Sequence, residues 1–89
     1  MDATALLAQL EEIAHRLGIK IRYEKIRKGD FITTGGLCRI NADHILIINS
    51  STSTSTRIRI IADALHRFDL THMYIKPALR DFLDTLSAS

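Results

Sequence analysis

The chain has one cysteine, one proline and no tryptophan, and its four glycines are scattered rather than clustered in a repeat. A lone cysteine cannot close an internal disulfide, so the fold must hold without cross-links, as is usual in a reducing cytoplasm. So little proline and glycine excludes a linker-like or collagenous chain, and 46% hydrophobic with 25% charged residues is a globular balance. No long apolar run is present. Ile45–Ile48 falls far short of the roughly 20 residues that span a bilayer. The opening MDATALLAQLEE has an acid at position 2 and no basic stretch, which is unlike a secretory signal. Charge of one sign is also scarce: twelve Lys and Arg stand against ten Asp and Glu, a net charge of +2. That excess is too small to demand a nucleic-acid partner.

What is present is a set of short periodic segments in 89 residues, the length of one domain. A chain this short buries about 60–65% of its unfolded surface, so little core can be given up. Leu6, Leu7, Leu10, Ile13, Ala14 and Leu17 form one stripe of a 3.6-residue period. Asp2 or Thr4 is placed to cap this helix, Glu11/His15 and Glu12/Arg16 pair on its outer side, and Gly18 is placed to end it. Ile19–Glu24 alternates as a strand with one wet face, and Ile26 breaks the phase. Lys28-Gly29-Asp30 reads as a turn, and Gly35-Gly36 as a pair where the backbone needs positive φ. Strands are expected at Leu37–Ile40 and Ile45–Asn49, joined across Asn41–His44. Ile45–Ile48 is apolar on both faces, so it belongs inside the sheet, its second face covered by the last helix or by a partner chain.

The hydroxyl-rich Ser50–Thr56 reads as a loop ending in a helix cap at Ser53, with a run of phosphorylation sites as the lesser alternative. In the helix that follows, Ile58, Ile61, Ala62, Leu65 and Phe68 gather on one side, and Arg59, Asp63, His66 and Arg67 on the other. Pro77 suits the first position of a third helix, whose buried stripe is Leu79, Phe82, Leu83 and Leu86. Met73-Tyr74-Ile75 supports a brief strand or a turn equally, and Ser87–Ser89 is expected to fray.

Chemistry is sparse. Asp63 lies four residues from both Arg59 and Arg67, the pattern of a solvated ion-pair ladder. Asp63, His66, Asp69 and His72 recur every third residue, but a helix turns about 300° over three residues, so four such positions diverge instead of enclosing a metal. Cys38 shares a strand face with Ile40, and core packing is its expected role; the alternative is a thiol activated by Arg39 or a histidine. His15 and His44 are expected at the surface. Gly35-Gly36 has no lysine or helix behind it to make a phosphate cradle.

Taken in order, LLAQLEEIAHRLGIKIRYEK, GGLCRINADHILIINSS and STSTRIRIIADALHRF resemble the core of the ImmA/IrrE-type metallopeptidases. Residues 5 to 68 are covered. That family's zinc helix reads approximately Leu-Ala-His-Glu-Leu-Gly-His. The resemblance places its two histidines on Asp63 and Arg67 and its catalytic glutamate on Ala64. A zinc hydrolase needs about three protein ligands and a base for the bound water. With an arginine and an alanine at those positions, the resemblance implies a degenerate core without zinc or peptidase activity. The chain is also similar to small uncharacterised bacterial proteins with a GGLCR-type strand followed by an Ala-x-Ala-Leu helix, a likeness that carries no function.

The expected fold is α+β: a small, mainly antiparallel sheet of about three strands against two to three helices, in the order α-β-β-β-α-α. The expected function is a non-catalytic binding or regulatory module, cytoplasmic, without a cofactor or metal, whose partner is another protein or a second copy. An enzyme using Cys38 or a residual Asp63/His66 site is the alternative. A further one is weak nucleic-acid binding through Lys20, Arg22, Lys25, Arg27 and Lys28. Lys20 and Arg22 share the wet face of the first strand, but Tyr23, the nearby ring, points the other way, so base stacking has no support.

Overall fold

A computed structural model describes residues 2–25 and 35–87. Helix α1 (Ala3–Arg16) starts where Asp2 accepts a 2.7 Å hydrogen bond from the Ala5 amide, one of the free donors of the first turn. It ends before Gly18, whose φ of +82° is the left-handed conformation glycine adopts most cheaply. The chain then enters strand β1 (Ile19–Glu24) directly. The expected phase break at Ile26 and the turn at Lys28-Gly29-Asp30 lie outside the described residues, as do Arg27 and Lys28 of the basic cluster.

Strands β2 (Gly35–Ile40) and β3 (Asp43–Asn49) form an antiparallel hairpin turned by Asn41 and Ala42, with Asn41 at φ 58°. The loop is shorter than expected, because Asp43 and His44 already belong to β3. β2 also begins two residues early, at Gly35. The three strands lie in the order β1-β3-β2, with β3 central as its two apolar faces require. β1 pairs with β3 in parallel, so the sheet is mixed: one pairing antiparallel, one parallel.

Ser53 caps helix α2 (Thr54–Leu65), accepting from the Thr56 amide at 3.2 Å. The hydroxyl run before it serves turn chemistry, since Asn49 accepts from both the amide and the hydroxyl of Ser51. Pro77 opens helix α3 (Pro77–Ser87). Residues 66–76 have no regular structure, and two arginines tie down their carbonyls. Arg16 donates to Tyr74 O at 3.2 Å, and Arg80 to Met73 O at 3.1 Å.

α1 and α2 pack on each other and on one face of the sheet. There Leu10, Ile13, Ala14, Ile19, Leu46, Ile48, Ile61, Ala62 and Leu65 form a continuous core with Ile75, Leu79 and Leu83. Each fully buried Leu or Ile contributes roughly 1.5–3 kcal/mol. α3 packs against α2 and adds its stripe to this same core. It therefore does not cover the second face of β3, the first of the two expected covers. By register that face carries Lys20, Arg22 and Glu24 from β1, Ile45 and Ile47 from β3, and Cys38 and Ile40 from β2.

Candidate functional site

The side chains singled out in the sequence are dispersed. Asp63 is exposed on the side of α2 that looks toward β2, where with Gly36, Leu37, Ile60 and Arg67 it lines a hollow of about 210 Å³. Arg59 borders an adjoining depression shared with Asp63. The expected ladder is absent: ion pairs join Lys20 to Asp43 and Arg22 to Glu24, but none joins Asp63 to Arg59 or Arg67. His66 turns the other way, its Nε2 lying 2.8 Å from the Leu83 carbonyl oxygen of α3. Asp69 accepts from the Thr71 amide and hydroxyl, and these bonds hold its carboxyl below the usual range. Of the every-third-residue series only Asp63 lies within α2; His66 caps the helix, and Asp69 and His72 fall in the irregular segment after it. Among the described residues no three His, Cys, Asp or Glu side chains converge as metal ligands would.

Cys38 does share a face with Ile40, but it is the face away from the helices. The thiol is half-buried outside the main core and donates to the Ile45 carbonyl at 3.4 Å. Lys20 and Arg22 lie on the same face. Each is paired with an acid, Lys20 with Asp43 at 3.0 Å and Arg22 with Glu24 at 2.5 Å, so the basic character of β1 is largely neutralised. Tyr23 points to the helix side as expected. Its hydroxyl donates to Glu11, and the Arg57 guanidinium lies 4.7 Å from its ring centroid. Burial, that hydrogen bond and the Glu11 charge together push its phenol well above the ordinary range, against the pull of Arg57. His44, expected in a surface loop, is half-buried on β3 with its ring edge-on to Phe68.

The cavity that draws unlike chemistries together involves none of these residues. It is a cleft of about 330 Å³ between α1 and the segment that leads into α3, within the usual range of small-ligand sites, about 300–1,000 Å³. Ile13, Ile75 and Leu79, all buried, line its apolar part. Glu12, Arg16 and Lys76, all exposed, and the outward-facing Tyr74 ring supply its polar part. Gln9 also lines the cleft, and its Oε1 is buried with no hydrogen-bond partner, the one such side-chain atom among the described residues. A buried amide oxygen left unpaired costs about 1–3 kcal/mol.

One half of this cleft had a signal in the sequence. Gln9, Glu12 and Arg16 fall at i, i+3 and i+7 along the flank of the α1 stripe beside Ile13, so they share a side of the helix. The other half had none, because Tyr74, Ile75 and Lys76 sit in a stretch without periodicity. Comparison of the chain with family models, with curated proteins and with solved structures finds no match.

Proposed function

We propose that the protein is a non-catalytic binding or regulatory module, working in the cytoplasm, whose ligand seats in the cleft between α1 and residues 74–79. The observation that carries this reading is an apolar cleft with a charged rim, walled in part by Gln9, whose amide oxygen is buried without a partner. An apolar lining with a few polar groups of defined position is the general composition of a ligand site. By contrast, the groups an enzyme reading would use are engaged singly: Cys38 with a strand carbonyl, His66 with a helix carbonyl. Descent from a metallopeptidase core that has lost its zinc site is part of the same proposal. It rests on Asp63, Ala64 and Arg67, of which Ala64, where the catalytic glutamate would stand, is buried and offers no base.

The test is amide-resolved NMR of the whole protein, titrated with a fragment set of acids, amines and neutral amides. Shifts should concentrate at Gln9, Ile13, Ile75 and Leu79. Shifts centred on Cys38 or on Asp63 and Arg67, or a set that leaves the cleft amides unmoved, would overturn the proposal.

A further inference from the structure

The cleft is specific enough to suggest its ligand class. Two cations, Arg16 and Lys76, stand against one acid, Glu12, on its rim, so the balance favours an anion. Arg16 is anchored to the Tyr74 carbonyl. A guanidinium has five N–H donors, so that bond fixes its place and leaves others to offer. Lys76 follows the buried Ile75 by one residue and is exposed. The charged groups therefore border an apolar floor built from Ile13, Ile75 and Leu79. Gln9 sets the third requirement. Its oxygen is buried without a partner, and its terminal torsion is soft, so the amide can turn to present that oxygen to a ligand. The amide also presents a donor and an acceptor side by side, the complement of a peptide group.

Resting on the binding reading above, we infer that the cleft takes a carboxylate-terminated apolar group with a peptide N–H next to it: an N-acylated aliphatic amino acid, free or as the last residue of a peptide. The carboxylate meets Arg16 and Lys76, the aliphatic side chain covers Ile75 and Leu79, and the peptide N–H donates to Gln9 Oε1. The first two contacts answer features the cleft already has, and the third is made once the Gln9 amide turns.

The experiment compares four probes by NMR titration: N-acetyl-L-leucine, its methyl ester, 4-methylpentanoate, and a pentapeptide ending in leucine. The ester lacks the charge, and 4-methylpentanoate lacks the N–H. N-acetyl-L-leucine should move the Gln9, Ile75 and Leu79 amides and bind about tenfold or more tightly than its ester, the loss expected for a hydrogen bond to a charged group. It should bind about two- to tenfold more tightly than 4-methylpentanoate, the loss expected for a neutral one. Two variants separate ligand contacts from structural effects. Gln9→Leu should leave thermal stability equal or higher while N-acetyl-L-leucine and 4-methylpentanoate become equivalent. Lys76→Met should bring N-acetyl-L-leucine and its ester closer together. The pentapeptide tells the two sources apart: binding as tight as the acetylated residue or tighter points to a chain end, and weaker binding to the free acid. Equal binding of all small probes, or no cleft shifts with N-acetyl-L-leucine, overturns the inference. If other fragments still perturb the cleft, the binding function survives and the ligand class fails alone; if none does, both fail.

Discussion

Asp63 and Leu65 stand two positions apart on α2 and face opposite worlds: Asp63 is exposed, Leu65 wholly buried. Asp63→Ala should therefore change stability by no more than about 0.5 kcal/mol. Because no ion pair joins it to Arg59 or Arg67, that small change should be the same in low and high salt. Leu65→Ala removes a side chain from the middle of the core and should cost about 2–5 kcal/mol. Urea unfolding of both variants at two salt concentrations checks the contrast. A salt-sensitive loss at Asp63 would restore the ladder. Tyr23 supplies a pH dependence. Its phenol is held above the ordinary range in the fold, so the folded state keeps a proton that the unfolded chain begins to release near pH 10. Stability from this group is intact below that pH and falls as pH rises beyond it. Tyr23→Phe should flatten the decline in urea midpoint between pH 9 and pH 11. An unchanged slope would mean that neither burial nor the Glu11 contact raises the phenol.

Among the elements, β2 shows how position within a strand decides what a glycine is for. Gly35 has φ +157°, and a Cβ there would overlap the Ile47 carbonyl oxygen and come within 3.1 Å of Ile48 Cα. Gly36, next in line, has open space around it, with nothing within 4 Å. Gly35→Ala should thus cost about 1–3 kcal/mol through backbone strain and displacement of the hairpin. Gly36→Ala should be neutral or slightly stabilising, since it stiffens only the unfolded chain. Thermal denaturation of the two single variants decides, and equal effects would place the close approach elsewhere. The same strand carries Cys38, whose thiol donates to Ile45 O. It should react with a disulfide reagent more slowly in the native protein than in urea. A native rate at or above that of free cysteine would reveal an activated thiol.

At the scale of the whole molecule, the layers stack as sheet, then α1 with α2, then α3, and the core that joins them is continuous. Unfolding should accordingly be one cooperative transition, with far-UV circular dichroism and tyrosine emission coincident. Leu83→Ala, at the far side of that core, should shift the midpoint of both probes together by about 2–5 kcal/mol. A separate early transition in that variant would mean that α3 docks on a core already complete without it. Much of this architecture was legible in the residues themselves. The α1 stripe, the Asp2 and Ser53 caps, the stop at Gly18 and the Pro77 start are local, set by backbone sterics and hydrogen bonds within a turn or two. Alternation in Ile19–Glu24 and its absence in Ile45–Ile48 also told which strand is central. Tertiary structure alone decided that β1 runs parallel to β3, because alternation assigns a side chain to a face but not a strand to its neighbour. It likewise placed α3 against α2, so that Cys38 and Ile40 lie on the sheet face turned away from the helices. The cleft came from the same source: Gln9, Arg16, Ile75 and Lys76 are more than fifty residues apart across the two halves, and only packing brings them to one wall.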